Sequence, residues 1–199
     1  MSLRVWLPLD GDLRNLGCSP ITTFSYNNFT VQTDGKIGKC YSGQGIYHLE
    51  NEILDNTWSL CAWVKSGGWS QYNDIILCKN TSSSDNYQFY FSIVNGATLN
   101  LGINGGSSTV TYNYTFSTGI WYHIAATFDG SKYALYINGE QKQSGTVNTT
   151  LKTGMNNLGI NCRSTNANGT GTTGNGGKKL NDVRIYDHCL SAAEVKEIS

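Results

Sequence analysis

The stretch that decides the fold runs from Gly119 to Glu140 and reads GIWYHIAATFDGSKYALYINGE. Two runs rich in β-branched and aromatic residues are separated by Asp129-Gly130, and the second run ends at Asn138-Gly139, a dipeptide that accepts the positive φ angles of a tight hairpin. Side chains of the second run alternate between two faces, with Tyr133, Leu135 and Ile137 on one and Ala134 and Tyr136 on the other. The stretch predicts a three-stranded antiparallel meander.

Strand-like patterns recur on both sides of this meander. Residues 87–94 and 99–104 alternate apolar and polar side chains, which predicts a hairpin with one packed and one polar face. Near the end of the sequence, Ser191-Ala192-Ala193-Glu194 has the capping-box pattern of a helix start. The tract from Arg163 to Lys179 is rich in Asn, Gly and Thr and almost free of apolar residues, so we expect a mobile loop there.

Several segments carry a family resemblance. The sequences WYHIAATFDG (121–130), LYING (135–139), TWSLCAWVK (57–65) and LNDVRIYDHCLSAAEV (180–195) resemble segments of the laminin-G-like, concanavalin A-like lectin/glucanase superfamily in order and spacing. A shorter segment, GKIGKC at 35–40, agrees with them. The resemblance implies an all-β fold, namely a two-sheet antiparallel β-sandwich (a concanavalin A-like jelly roll) with a short C-terminal helix.

The beginning of the chain extends the resemblance. Residues 9–17, LDGDLRNLG, resemble the opening of the family, and the chain is similar to laminin-G-like proteins of phage and prophage structural genes. No internal repeat and no second domain is visible. We therefore expect residues 1–199 to form a single laminin-G-like domain.

The composition argues against some classes of partner. The 199 residues include 14 basic and 14 acidic side chains, so no net charge attracts the chain to nucleic acid or to an anionic membrane surface. No apolar run is long enough to span a bilayer, and Met1 to Trp6 lacks the segments of a secretory signal. We expect no nucleic-acid or membrane partner, synthesis in the cytoplasm without a signal peptide, and a location on a virion or extracellular surface.

The six cysteines are interpreted as reduced thiols, with a disulfide framework as the alternative. No Cys or His cluster has the spacing of a zinc site. No cofactor is required by the sequence. Calcium is left open, because laminin-G and pentraxin relatives often hold it at the sandwich rim, while the aspartates of this chain are scattered and Asn181 stands where the family often has Asp.

Catalytic residues are not expected. Glucanases of the superfamily carry two carboxylates two or four residues apart on one strand, on either side of the scissile bond. The nearest approach here is the segment from Glu50 to Asp55, which we interpret as a solvated loop. His123 is interpreted as a structural residue, because the sequence places no nucleophile near it. The chain is therefore predicted not to be an enzyme.

Carbohydrate binding requires a planar aromatic side chain that stacks on a sugar, and amides and hydroxyls that bind its hydroxyl groups. Two sets of candidate residues meet this requirement. The polar-face set is Gln88, Tyr90, Ser92, Asn100, Asn104 and Tyr136, and the loop set is Trp69, Tyr72, Asn73 and Asp74. The alternative is that Trp69 and the tyrosines cover a sheet edge or pack against another subunit. Three further tryptophans are assigned to the core, namely Trp58, Trp63 and Trp121.

Three functions stay open. The first is a non-catalytic module that binds glycans or cell-surface polysaccharide as part of a phage virion or another extracellular assembly. The second is a structural protein that decorates or cements a particle and binds only virion proteins or further copies of itself. The third is a glycan-cleaving enzyme. A fold of this kind fixes no function without its site, and the aromatic and amide side chains favour the first.

Overall fold

Two antiparallel sheets face each other in the computed structural model. The structure describes residues 2–19, 23–27, 29–48, 54, 56–71, 73–79, 87–105, 108–149, 151–155, 157–161 and 178–199. The elements are β1 (Leu3–Leu7), β2 (Thr23–Asn27), β3 (Thr30–Gln32), β4 (Cys40–Ser42), β5 (Gly45–His48), β6 (Trp58–Ser66), β7 (Asn73–Lys79), β8 (Tyr87–Val94), β9 (Thr98–Ile103), β10 (Ser108–Asn113), β11 (Tyr122–Phe128), β12 (Lys132–Ile137), β13 (Glu140–Thr146), β14 (Asn157–Ile160), β15 (Lys178–Tyr186) and the helix α1 (Ala192–Glu197). The predicted β-sandwich with a short C-terminal helix is confirmed.

The predicted meander forms one side of the eight-stranded sheet. The strand order of this sheet is β13-β12-β11-β6-β15-β4-β3, and β1 also pairs with β15. In the turn between β12 and β13, Asn138 has a φ of 51° and Gly139 a φ of 76°, as expected for a two-residue hairpin turn. The Asn-Gly signal therefore identified this turn correctly.

The seven-stranded sheet has the order β10-β9-β8-β7-β14-β5-β2. Its β8–β9 hairpin alternates as predicted: Phe89, Phe91 and Ile93 are fully buried between the sheets. The intervening residues of β8 point away from the other sheet. We call the side of each sheet that points away from its partner the outer face.

Trp58 connects the two sheets. Its ring lies 6.0 Å from that of Phe89 in the opposite sheet and 5.4 Å from that of Phe128 on the neighbouring strand. The sequence also assigned Trp63 and Trp121 to the core. Trp63 is buried but lies outside the cluster between the sheets, whereas Trp121 is only half-buried and its assignment is wrong. Trp63 lies on the outer face of the eight-stranded sheet beside His123, and Trp121 contacts Lys65 on the same face. Alternate side chains of a strand point to opposite faces, which explains the separation.

The C-terminal helix covers part of the outer face of the eight-stranded sheet. Its capping box is present, since the Glu194 amide donates to Ser191 Oγ and the Ser191 amide donates to Glu194 Oε2. The apolar residues that join the helix to the sheet form a second small cluster, consisting of Cys61, Ala125, Ala134, Tyr136, Leu190 and Val195. The cluster fixes the helix against the meander.

Asn181 joins three segments of backbone at a bulge in β15. Its Oδ1 accepts from the Ile37 amide at 2.7 Å, and its Nδ2 lies 2.8 Å from the carbonyl oxygen of Pro8 and 3.1 Å from that of Lys39. A third carbonyl, that of Leu9, lies 3.2 Å away. The side chain is fully buried. Both halves of the amide are therefore used to hold the chain together.

Candidate functional site

The outer face of the seven-stranded sheet carries most of the polar set predicted from the sequence. Strand pairing places Ser92 opposite Asn100 on one side and opposite Asp74 on the other, and it places Asn100 opposite Thr111. Directly opposed side chains lie about 5 Å apart. Hydroxyl, amide and carboxylate groups thus form one row across four strands. Asp74 and Ser92 are buried, whereas Asn100 is half-buried and Thr111 is exposed.

Tyr90 lies beside this row and supplies an aromatic ring. Its partner across the strand pair is Gly102, and a Cβ atom at that position would lie 2.0 Å from Tyr90 Cε1. The half-buried ring therefore lies over the glycine, and Tyr87 contacts it edge-on with a centroid distance of 5.0 Å. Glycine at position 102 lets the ring lie against the sheet rather than stand away from it.

The carbonyl oxygen of the Asn100 side chain is buried and has no hydrogen-bond partner among the residues that the structure describes. A buried acceptor without a partner costs about 1–3 kcal/mol. A hydroxyl donor that reaches this oxygen would recover that free energy. Asn100 is therefore a polar group of this face that gains from a bound hydroxyl donor.

Gln88 and Asn104 lie at one end of the same sheet and are occupied by the chain itself. Gln88 Nε2 donates to the Lys152 carbonyl at 2.9 Å, and the Lys152 amide donates to Asn104 Oδ1 at 2.8 Å. Asn104 Nδ2 donates to Thr149 Oγ1 at 2.7 Å. Both residues are almost fully buried. Gln88 and Asn104 thus hold the segment that contains Thr149 and Lys152 against the end of the sheet.

In the loop set, Asn73 and Trp69 are likewise bonded to or packed against other parts of the chain. The Asn73 side chain is fully buried, and its Nδ2 donates to the carbonyl oxygens of Ser70 and Ile93, both at 2.7 Å. The Trp69 ring packs 5.8 Å from that of Phe116, in agreement with the alternative that it covers the end of the sheet. Tyr72 lies outside the described residues, and so do residues 163–177 of the loop predicted from Arg163 to Lys179. The last two residues of that loop, Lys178 and Lys179, instead begin β15.

Tyr136 does not share a surface with Gln88 and Tyr90, and the sequence-based grouping is corrected here. Tyr136 belongs to β12 of the eight-stranded sheet, and its side chain is buried beneath α1. The two sheets are packed about 10 Å apart with their outer faces on opposite sides. Tyr136 therefore cannot contact a ligand that binds at Tyr90.

The arrangement of carboxylates differs from that of a glucanase cleft. In the described part of the chain, no strand carries more than one carboxylate; Asp74, Glu140 and Asp182 lie on β7, β13 and β15. Glu50, Glu52 and Asp55 lie outside that part. The described residues bring no three His, Cys, Asp or Glu side chains together as metal ligands, and calcium stays a prediction. The five described cysteines are free thiols.

His123 is buried on the outer face of the eight-stranded sheet beside Trp63, at a ring distance of 5.3 Å. Burial lowers the pKa of its imidazole to about 4, while Asp182 and Arg184 act on that pKa in opposite directions. The ring is therefore neutral at pH 7. Its surroundings agree with the structural role predicted for it.

We expect the domain to lose about 2 kcal/mol of stability between pH 7 and pH 5 through His123. The unfolded chain, with a histidine pKa near 6.5, binds a proton in this range that the folded chain does not. Stability is therefore fully present above pH 6.5 and falls as the pH approaches 4. Urea unfolding at both pH values measures the effect, and the variant His123→Gln should show a pH dependence smaller by that amount. An unchanged pH dependence in the variant would contradict the assignment.

The sequence analysis missed two residues on the outer face of the seven-stranded sheet. Gly102 and Thr111 stand at alternate positions of predicted strands, on the same face as Asn100. The alternation was visible, but only Asn100 and Asn104 of these strands were named as candidates. The need for glycine at 102 depends on Tyr90 of another strand, which no local pattern shows.

The chain belongs to the concanavalin A-like lectin/glucanases superfamily, whose laminin-G family matches residues 42–196. The match agrees with the two-sheet β-sandwich of the structure. No curated protein sequence matches the chain. Among the residues that the structure describes, no helix has the length and apolar character needed to cross a membrane.

Solved structures with this fold include three informative neighbours. The botulinum neurotoxin serotype D binding domain is 19% identical, with a TM-score of 0.71, over 99% of this chain and 50% of its own. Domain 4 of AbnA, a GH43 extracellular arabinanase from Geobacillus stearothermophilus in complex with arabinotriose, is 21% identical, with a TM-score of 0.71, over 98% and 97% of the two chains. A SAP-like pentraxin from Limulus polyphemus is 17% identical, with a TM-score of 0.64, over 85% and 80%. The chain spans half of the toxin domain, and these likenesses show the fold.

Proposed function

We propose that this protein is a non-catalytic glycan-binding module whose site is the outer face of the seven-stranded sheet around Tyr90 and Asn100. The observation that carries the proposal is the combination of an aromatic ring held over Gly102 with an unpartnered amide oxygen in the neighbouring row. An aromatic face stacks on the C–H groups of a sugar, and the polar row bonds to its hydroxyls. Asn100 and Thr111 present an acceptor and a hydroxyl together.

The absence of catalysis is supported by the distribution of carboxylates. A retaining or inverting glycosidase needs two carboxylates on either side of one glycosidic bond. Asp74 is the single carboxylate of its strand, and its neighbour Ser92 and the next residue of the row, Asn100, have no acid or base function of their own. The site can therefore hold a sugar but lacks a second acid for hydrolysis among the described residues.

The proposed setting is outside a cell, on a surface assembly such as a virion. The family membership and the neighbouring fold of an extracellular arabinanase domain support a role in surface recognition. The virion is proposed from the resemblance of the sequence to laminin-G-like proteins of phage and prophage structural genes. Its partners would be glycans or cell-surface polysaccharide.

The proposal predicts that Tyr90→Ala weakens glycan binding about tenfold, because stacking and its buried area are lost. A glycan array identifies ligands, arabinotriose serves as a first soluble probe, and titration calorimetry measures the affinities. Asn100→Ala should weaken the same ligands, because it removes the buried acceptor.

Tyr90→Phe is the matched control, since it keeps the ring and removes the hydroxyl; it should bind within about twofold of the wild type. Equal affinities of the wild type, Tyr90→Ala and Asn100→Ala would contradict the assigned site. A folded protein that binds nothing on the array would contradict the function.

A further inference from the structure

A cleft lies on the outer face of the eight-stranded sheet, on the opposite side of the sandwich from Tyr90. Its volume is 420 Å³, and the residues that line it include Lys36, Trp63, Asp182, Arg184 and Glu197. Sites for small ligands have volumes of about 300–1,000 Å³. The cleft is thus large enough for a small ligand or one unit of a longer one.

Trp63 and Lys36 form an aromatic surface with a cation above it. Trp63 is held beside His123 and is 7% exposed. The ammonium of Lys36 lies 4.2 Å from the centroid of the Trp63 ring. Lys36 is exposed and forms no hydrogen bond or ion pair with the residues that the structure describes. Its ammonium is therefore available to an anionic group in the cleft.

The opposite wall is a fixed ion pair. Arg184 Nε lies 2.9 Å from Asp182 Oδ1 and Arg184 Nη2 lies 2.8 Å from Asp182 Oδ2, while Trp6 Nε1 also donates to Oδ1 at 2.8 Å. Asp182 has a φ of 50°, an uncommon conformation for a residue other than glycine, and its amide donates to the Pro8 carbonyl. These contacts hold donors and acceptors in a defined position next to Trp63.

The surroundings of the cleft have a surplus of positive charge, although the whole chain has none. Lys65 and Lys179 both pair with Asp34, at 2.7 and 2.6 Å, so one cation of this group is not neutralised. Lys65 also lies 5.3 Å from the Trp121 ring. On the cleft itself, Arg184 is neutralised by Asp182, which leaves Lys36 and the exposed Glu197. The described lining of the cleft therefore has no net charge, and Lys36 is the cation of that lining left to pair with an anionic group of a ligand.

We infer that the cleft binds a carboxylated sugar residue of an acidic glycan. The sugar carboxylate pairs with the Lys36 ammonium, and C–H groups of the sugar contact the small part of Trp63 that is exposed in the cleft. The sugar hydroxyls bond to the fixed Asp182–Arg184 pair and to Glu197. This site is independent of the one at Tyr90. Two sites on opposite faces would allow one domain to connect two glycan chains or to hold one surface with added avidity.

The test uses trigalacturonic acid, its neutral methyl ester and 3′-sialyllactose, with the indole N–H signals followed by NMR. We expect the acid to shift the Trp63 and Trp6 signals, with binding that weakens as salt is raised. The ester should bind about fivefold more weakly or not at all, because one exposed charge pair is worth up to about 1 kcal/mol. Binding of sialyllactose instead of galacturonate would support the proposal and assign the carboxylate to a sialyl residue.

Lys36→Gln should weaken the binding of the acidic sugar about fivefold, since it removes the charge from an exposed side chain without disturbing the core. The matched control is Lys39→Gln, an exposed lysine of the same loop that does not line the cleft, and it should change the affinity less than twofold. Tyr90→Ala should have no effect, which separates this test from that of the proposed function. The inference is overturned if neither acidic sugar shifts the Trp63 signal, if the ester binds as well as the acid, or if Lys36→Gln binds like the wild type.

Discussion

Replacing Asn181 with aspartate is expected to destabilise the domain by about 4 kcal/mol, although the two side chains have nearly the same shape. In the native protein, the Asn181 amide donates to backbone carbonyls and accepts from the Ile37 amide. An ionised carboxylate could still accept from Ile37. Its second oxygen, however, would face the carbonyl oxygens of Pro8 and Lys39 at a fully buried position, without a donor between them.

The pH dependence of the destabilisation by Asn181→Asp tests whether a buried negative charge causes it. A buried carboxyl among carbonyls has a pKa above its usual value, so the folded variant binds a proton more readily than the unfolded chain does. The cost of Asn181→Asp, measured against the wild type by urea unfolding, should therefore shrink as the pH falls from 7 to 5. Asn148→Asp, at an exposed asparagine, is the control and should cost less than about 0.5 kcal/mol. A pH-independent cost, or none, would show that the amide is not needed as a donor.

The same residue illustrates what the family resemblance could and could not show. From the sequence, Asn181 stands where relatives often have Asp, and we interpreted this difference as the loss of one negatively charged calcium ligand. The structure shows that the amide joins β15 to the segments at residues 8–9 and 37–39. These contacts are made across more than 140 positions of sequence, so only the folded chain could show them.

Local signals predicted the elements of the fold well. The Asn138-Gly139 turn, the alternation in β8 and the capping box at Ser191 each depend on a few neighbouring residues, and each was found where the sequence placed it. The physical reasons are local as well: positive φ angles, the two-residue period of strands, and exposed amides at a helix start.

The candidate site could be predicted only in part, because alternation divides side chains between two faces but does not say what covers each face. Tyr136 and Gln88 have the same alternating pattern as Tyr90. Tyr136 is buried by α1 and Gln88 is bonded to the segment at Lys152, and both are contacts with distant parts of the chain. Tyr90 and Asn100 stay half-buried because neither element covers them, although the side-chain oxygen of Asn100 is itself buried.

The two tryptophans of β6, Trp58 and Trp63, should contribute differently to the stability of the domain. Trp58→Ala is expected to destabilise the domain by about 4 kcal/mol, because its ring fills the space between the sheets against Phe89 and Phe128 and is fully buried. Trp63→Ala, on the same strand, should cost less, about 2–3 kcal/mol, because its ring, although only 7% exposed, lies on the outer face, where water and the Lys36 side chain can fill part of the space. The offset of five residues already places the two rings on opposite faces.

Chemical denaturation of both variants measures the difference, and Trp58→Phe, which keeps an aromatic ring in the core, should recover about half of the loss. The comparison separates two explanations of why this chain has two tryptophans on one strand. If both were core residues, as the sequence alone suggested, the two alanine variants would lose similar stability. If Trp63 instead belongs to the cleft with Lys36, its replacement should leave the fold largely intact while removing the binding of the acidic sugar. Equal losses of stability would therefore contradict both the face assignment of β6 and the second site.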